Sequence, residues 1–192
     1  MTEVGYWRAV AEWSLGGNDE VGDCVFCTAA NYTDLLETVR GTPQTVPDAE
    51  VERWYAWETG WTRANPASDK GEVLEKMLQH WRDNGNPSDP LDRITDFYTV
   101  TDISSAIEEY GAVFAWCLLP MRDDDPDLSD GALQAGTPGT AAHAVLIVGD
   151  DTGKMWLATW GEVREISEDW WRAYGQHQNQ YVVVHPAWHR PA

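Results

Sequence analysis

The chain has 192 residues, a length that suits one domain with a substantial hydrophobic core. Its 32 acidic and 13 basic residues give a net charge of −19, which disfavours nucleic-acid phosphates and anionic membranes as partners. Three cysteines, an odd number, argue against a disulfide framework and for a reducing compartment.

The N-terminal half of the sequence predicts helices. Residues 1–16 form an arm whose aromatic side chains dock on the domain, and the glycine pair at residues 16–17 ends it. From Cys24 to Val39, small and apolar residues recur at spacings typical of a mostly buried helix, with Gly41 as its stop. Two further helices are expected over residues 48–57 and 72–83.

The C-terminal half predicts a sheet. Strands are expected over residues 94–100, 112–119, 141–149, 154–159 and 180–184, with a hairpin turn at 150–153. Helices are expected over residues 102–111, with Asp102 as N-cap, and 165–174, with Ser167 as N-cap. Residues 121–140 are acidic and lack periodicity, which predicts a long surface loop, and residues 185–192 form a tail. The whole chain, 1–192, is interpreted as a single domain.

Two cysteines, Cys24 and Cys27, lie where a polar, glycine-containing loop runs into the first predicted helix. A helix N-terminus lowers the pKa of a thiol and can hold an oxyanion, so either cysteine is a candidate nucleophile. Asn18, six residues before Cys24, could add a side-chain amide to the same oxyanion site. The simpler interpretation is that both cysteines are small hydrophobic residues of the core.

His143, at the start of an apolar strand, is the candidate general base. An imidazole can take the thiol proton and later return one to the leaving group, while a third polar group orients the ring. The histidines at positions 80, 177, 185 and 189 have no carboxylate or cysteine companion at metal-ligand spacing. We therefore expect no metal and no other cofactor.

Together these segments resemble the papain-like cysteine peptidase superfamily. The matching pieces are residues 22–24 at a helix start, 69–71 before a helix that ends at 84–85, 106–113, 143–149 and 159–161. More narrowly, residues 17–24 and 159–161 look like papain-like proteins encoded by tailed phages of actinobacteria. The resemblance implies an α+β fold with a helical N-terminal half, an antiparallel sheet in the C-terminal half and a cleft between them.

The resemblance also implies a nucleophile and an amide that holds the oxyanion. With Cys24 as the nucleophile, Asn18 stands where the family has Gln. With Cys27, the corresponding position is Val21, which cannot donate, although residues 36–37 fit the family spacing better from Cys27. Because the oxyanion donor contributes a few kcal/mol, about 3, to the transition state, Cys24 is the preferred nucleophile.

The residue that should orient His143 departs from the family pattern. Where the family places Asn or Asp, this chain has Ala158, whose side chain cannot accept a hydrogen bond. Thr159, a backbone carbonyl or a residue from elsewhere would have to orient the ring. Loss of that orientation costs orders of magnitude in rate, so the expected activity is weak or absent.

Two functions follow from the resemblance. The first is peptide or isopeptide hydrolysis by a Cys–His dyad, with a peptide or protein as substrate. The second is a non-enzymatic structural or interaction protein of a phage particle, with proteins of that assembly as partners and a cleft plugged by rings such as those of Trp116, Trp156 or Trp160. No run of transmembrane length and no export signal are visible, so the host cytoplasm or the virion is the expected location, without nucleic-acid or membrane partners.

Overall fold

The computed structural model describes residues 4–86, 91–121 and 137–190. These ranges contain five α-helices: α1 (Cys24–Val39), α2 (Asp48–Thr59), α3 (Leu74–Asn84), α4 (Ile103–Tyr110) and α5 (Glu168–Tyr174). They also contain seven strands: β1 (Val4–Gly5), β2 (Asp96–Thr99), β3 (Val113–Met121), β4 (Thr137–Asp151), β5 (Lys154–Thr159), β6 (Glu162–Ser167) and β7 (Gly175–Val184). No helix in the described ranges is both long enough and apolar enough to cross a membrane.

The strands form one antiparallel sheet in the order β2-β7-β3-β4-β5-β6, and β1 pairs with the end of β4. The long strands β3 and β4 lie side by side in the middle, in a register that places Cys117 opposite His143. Strands β4 to β6 follow one another as hairpins, and Gly153 turns the first of them at φ +83°. The middle of the sheet therefore holds the candidate histidine.

Helices cover both faces of the sheet. On one face, Phe114 and Leu146 pack against the core formed with α1, α2 and α3. On the other face, Val145 and Ile147 pack in the core formed with α4 and α5. A strand buried on both faces has apolar side chains at successive positions, which explains the continuous apolar run of β4. Helices around an antiparallel sheet confirm the predicted α+β class.

Helix α1 is the most buried helix of the fold. Eleven of its 16 residues are buried, and it contacts β4 and β5 as well as α2 and α3. Its side chains are apolar or small around most of the circumference, which is the pattern of a helix surrounded by protein. It ends at Val39, as predicted. Arg40 follows as the cap, and at Gly41 the backbone turns left-handed, at φ +81°.

The buried carboxylate of Asp34 ties two loops to α1. Its Oδ2 accepts a hydrogen bond from the Ser14 N–H at 2.9 Å and lies 2.8 Å from Ser14 Oγ. Its Oδ1 accepts a hydrogen bond from the Val46 N–H at 2.8 Å. Burial raises the pKa of Asp34 to about 6, against the effect of these hydrogen bonds. One side chain therefore fixes both the N-terminal arm and the connector that follows α1.

The N-terminal arm lies against the sheet. Its strand β1 pairs with Gly149 and Asp150 of β4, and the ring of Trp7 stacks on that of Trp156 with centroids 5.7 Å apart. Tyr6 meets Trp188, from the other end of the chain, at 5.4 Å. The aromatic residues of the arm thus bury their rings on the domain.

Several predicted boundaries are wrong. Residues 162–167 form β6, so the helix expected from residue 165 begins only at Glu168. The predicted cap is confirmed: Ser167 accepts a hydrogen bond from the Trp170 N–H at 3.0 Å. β7 begins at Gly175 instead of residue 180, because its first residues pair with β3. The ends of the loop predicted over 121–140 belong to β3 and β4, and residues 122–136 lie outside the described ranges.

Replacing Asp34 tests whether its carboxylate holds the two loops. Asp34→Ala leaves buried N–H donors of the arm and the connector without an acceptor, so we expect the free energy of unfolding to fall by about 2–4 kcal/mol. Urea unfolding followed by tryptophan fluorescence measures it. The exposed carboxylate variant Asp169→Ala, which should change stability by less than about 0.5 kcal/mol, is the control. Equal stability of the two variants would contradict the role of Asp34.

Candidate active site

Cys24 is the first residue of α1 and is half-buried. Its Sγ accepts a hydrogen bond from the Ala144 N–H at 3.5 Å. Ala144 follows His143 in β4, so the packing of α1 on the sheet brings the Cys24 thiol to the strand that carries the histidine, which lies 119 positions further along the chain. Sequence order alone predicted this pairing of elements, and in the structure the contact runs from Cys24 to the backbone of the residue after His143.

His143 is buried, and its ring is held on one side by Thr159. The Nε2 atom lies 2.7 Å from Thr159 Oγ1, at the end of β5. If Nε2 carries the proton, it donates to this hydroxyl and leaves Nδ1 as the basic nitrogen. Within the described part of the chain, neither ring nitrogen forms another hydrogen bond. Ala158, at the family's orienting position, is buried and contributes no acceptor from its side chain.

Trp160 covers the His143 ring. The two rings are stacked, with centroids 4.3 Å apart and planes 11° from parallel. The Trp160 backbone is left-handed at φ +48°, which is strained for a large side chain, and Gly161 continues the turn at φ +74°. This sharp turn after β5 directs the indole onto the imidazole. The Trp-Gly pair was recognised in the sequence, but no contact with His143 was predicted for it.

Burial leaves the thiol and the imidazole uncharged at neutral pH. It raises the pKa of Cys24 to about 11, although the hydrogen bond from Ala144 opposes the shift, and the charge of Asp23 adds to it. Burial lowers the pKa of His143 to about 3. A proton therefore has to pass from sulfur to nitrogen during a reaction, because a thiolate–imidazolium pair is not favoured at rest.

Asp23 is a fully buried carboxylate that sequence reasoning did not assign to the site. It precedes Cys24, and its Oδ2 accepts a hydrogen bond from the Gly17 N–H at 2.9 Å. Burial raises the pKa of Asp23 to about 6, while the bonds from Gly17 and Cys27 oppose the shift. The only signal in the sequence was its place directly before a thiol at a helix start. Through its hydrogen bond with Gly17, Asp23 holds the preceding loop against the first turn of α1.

Asn18 lies in the loop that is hydrogen-bonded to Asp23. Its backbone N–H donates to the Leu15 carbonyl at 3.3 Å, and the residue is half-buried. Its carboxamide forms no hydrogen bond with a described residue. The structure thus places Asn18 directly after Gly17, whose N–H is bound to Asp23, and its side-chain amide is unused among the described residues.

Cys27 is buried beneath the same loop, with only 2% of its surface exposed. Its Sγ lies 3.2 Å from the Leu15 carbonyl and 3.2 Å from Asp23 Oδ1. Gly16, at φ +63°, makes room for it, since a Cβ at that position would lie 2.4 Å from the sulfur. Burial, together with the nearby Asp23 carboxylate, raises the pKa of Cys27 well above its usual range. Of the two candidate nucleophiles, Cys24 is the less buried one.

Some histidines have carboxylate partners that spacing in the sequence did not reveal. His185 Nε2 lies 2.8 Å from Asp92 Oδ1, and His80 Nδ1 lies 2.6 Å from Glu58 Oε2. The side chain of His177 lies outside the described residues. In the described part of the chain, no group of three or more His, Cys, Asp or Glu residues could hold a metal ion.

Comparison with solved structures identifies the fold. No family model and no curated protein matches the sequence. Among solved structures, the cysteine protease CMS1MS2 of Carica candamarcensis, in complex with E-64, is 15% identical with a TM-score of 0.63, over 96% of this chain and 99% of that one. Xylellain, a cysteine protease from Xylella fastidiosa, is 12% identical with a TM-score of 0.61, over 95% and 85% of the two chains. Digestive procathepsin L 3 of Tenebrio molitor larval midgut is 14% identical with a TM-score of 0.59, over 96% and 70%.

At such low identity these likenesses concern the fold alone. They extend over nearly the whole chain, and all three solved structures are papain-like cysteine proteases. The narrower resemblance to phage proteins stays a prediction from the sequence. The chain has the papain-like cysteine protease fold.

Proposed function

We propose that this protein is a papain-like cysteine hydrolase that cleaves peptide or isopeptide bonds, with Cys24 as its nucleophile. The observation that carries the proposal is the contact of the Cys24 thiol with Ala144, directly after a histidine whose Nε2 is bound by Thr159. A thiol at a helix N-terminus beside an oriented imidazole is the arrangement that acyl transfer to sulfur requires. The alternative, a non-enzymatic part of a phage particle, stays a prediction of the sequence, as does the cellular location.

In the proposed reaction, His143 first acts as the base. Its Nδ1 takes the proton of Cys24 as the sulfur attacks the carbonyl carbon, and the same nitrogen then returns a proton to the leaving amine. The Cys24 N–H at the start of α1 and the Asn18 carboxamide would hold the oxyanion. Water then releases the acyl group by the same proton transfers in reverse.

Thr159 takes the role of the orienting residue. A hydroxyl can accept the Nε2–H hydrogen bond and so fix the tautomer that leaves Nδ1 basic. Unlike a carboxylate, it offers no negative charge to stabilise the imidazolium that forms during the reaction. The low pKa of His143 adds to this cost. We therefore expect a slow hydrolase.

Digestion of denatured casein, with new N-termini identified by mass spectrometry, tests the proposed function. Wild-type protein should cut the substrate slowly, and Cys24→Ala should lower the rate by about 1,000-fold or more, because it removes the nucleophile. Cys117→Ala, which changes a buried thiol outside the proposed reaction, is the matched control. Cleavage by Cys24→Ala at the wild-type rate would exclude Cys24 as the nucleophile.

A pair of variants at position 159 tests the orienting role. Thr159→Val keeps the shape but removes the hydroxyl, so we expect kcat to fall about 10- to 1,000-fold. Thr159→Ser keeps the hydroxyl and should stay within about threefold of wild type. The initial rate of casein cleavage at saturating substrate is the measurement. If both variants lost activity equally, packing of the threonine methyl group, and not its hydroxyl, would be what matters.

The neutral resting pair predicts how alkylation of Cys24 depends on pH. Iodoacetamide reacts with thiolate, and the pKa of Cys24 lies at about 11, so the rate should rise about tenfold per pH unit from about pH 7 to about pH 10. The rate is measured at Cys24 by mass spectrometry, and His143→Ala should leave the slope unchanged. A plateau from about pH 5 upward that His143→Ala abolishes would instead reveal a thiolate–imidazolium pair.

A further inference from the structure

Cys24 and Cys27 occupy the same turn of α1, three residues apart. The N–H groups of Phe26 and Cys27 both donate to the Asp23 carbonyl, at 2.8 and 3.0 Å. The first of these bonds spans three residues, as in a 3₁₀ turn, where side chains three apart nearly eclipse each other. A negative charge on Cys24 raises the pKa of Cys27, as expected for neighbouring sulfurs. The two thiols are therefore close in space as well as in sequence.

The two thiols have different surroundings. Cys24 is half-buried and can be reached from solvent, while Cys27 is buried with its Sγ 3.2 Å from Asp23 Oδ1. Burial raises the pKa of this carboxyl to about 6, so Asp23 is a stronger proton acceptor than an ordinary aspartate and is still largely ionised at neutral pH. An accessible thiol beside a buried thiol with its own base is the arrangement that a two-step oxidation needs.

We propose that Cys27 is a resolving thiol, which captures oxidised Cys24 as a reversible Cys24–Cys27 disulfide. Asp23 accepts the proton that Cys27 must lose. Formation of the disulfide does not depend on the proposed hydrolase function. Only its consequence, protection of the nucleophile from irreversible oxidation, rests on that function.

The chemistry balances with a peroxide as oxidant. Cys24 first loses its proton to solvent, and the thiolate attacks one oxygen of hydrogen peroxide. An S–O bond forms, the O–O bond breaks, and the released hydroxide takes a proton back from solvent to give water. Cys27 then transfers its proton to Asp23 and attacks the Cys24 sulfur. The S–S bond forms as the S–O bond breaks, and the second hydroxide takes the proton from Asp23. Two thiols and one peroxide thus give one disulfide and two waters.

The disulfide requires a small adjustment of the first turn of α1. Side chains three apart on a helix have Cβ atoms about 5–6 Å apart, whereas a disulfide needs about 3.5–4.5 Å. Cys24 is the first residue of α1, and its own N–H has no acceptor within the helix, so its backbone can move toward Cys27. Cys24 gives up its contact with the Ala144 N–H, and Cys27 gives up its contacts with Asp23 and Leu15.

Cys117 is the competing partner for oxidised Cys24. It lies on β3, and its Sγ contacts the His143 carbonyl at 3.5 Å. Burial raises its pKa to about 12, and no carboxylate of the described residues accepts its proton. Cys117 therefore lacks the base that Cys27 has in Asp23, and we expect it to stay reduced.

Mass spectrometry of the wild-type protein tests the proposal without any variant. The protein is treated with hydrogen peroxide, quenched with catalase, unfolded, alkylated with iodoacetamide and digested with trypsin. Both cysteines fall in one tryptic peptide, residues 9–40. We expect this peptide to lose two hydrogens and both alkylation sites, while Cys117 is alkylated and dithiothreitol reverses the change. Unoxidised Cys24, sulfinic acid at Cys24, or a disulfide with Cys117 would overturn the proposal.

Variants separate the roles of the two residues. Cys27→Ser should drive Cys24 to sulfinic acid that dithiothreitol does not reduce. Asp23→Asn should slow disulfide formation about tenfold or more, because the base is lost, while the control Cys117→Ser forms the disulfide at the wild-type rate. If the disulfide forms but casein is not cleaved, the hydrolase proposal fails alone. If casein is cleaved but no disulfide forms, only the redox proposal fails.

Discussion

The packing of α1 against the centre of the sheet is the constraint on which the rest of the structure depends. Phe26, Tyr32 and Leu35 are completely buried, and each contributes about 1.5–3 kcal/mol relative to an exposed side chain. This packing fixes the N-terminus of the helix against β4, so the distance from the Cys24 sulfur to the Ala144 N–H follows from the core. The candidate nucleophile belongs to the helical layer and the candidate base to the sheet. A change in the core between these layers can therefore separate them without touching either residue.

Two buried carboxylates, one directly before α1 and one within it, have an ionisation that opposes folding. Asp23 and Asp34 both have a pKa of about 6, raised from the 3.8 of an exposed aspartate, because burial disfavours the charge. The folded protein therefore binds more protons than the unfolded chain between about pH 4 and pH 6, and these two groups lower stability as the pH rises through that window. Backbone N–H groups of the flanking loops offset part of the cost. The hydrogen bonds of the carboxylates thus hold the loops next to α1, while their ionisation makes the folded state less stable at neutral pH than at acid pH.

The sequence predicted the features that depend on local patterns. The glycine after α1, the Asp102 cap and the apolar runs of β3 and β4 all marked elements that the structure contains. β6 was missed because its alternation is weak: three of its six side chains are charged, and Ile166 is its one buried residue. For the site, chain order was enough to bring a cysteine helix and a histidine strand together.

Of the contacts that define the site chemically, the one between Thr159 and His143 was predicted as one of three alternatives for orienting the ring, whereas the others join residues distant in sequence or depend on burial. The bond between His143 and Thr159 requires the β4–β5 register, and the stacking of Trp160 requires its left-handed backbone.

The edge strand β6 has a further consequence for the sheet. β6 exposes Glu162 and Glu165 on an edge whose backbone is unpaired within the described sheet, and charges at such an edge disfavour the addition of a strand from another chain. The charge of this edge strand thus opposes edge-to-edge association of a sheet whose centre is apolar.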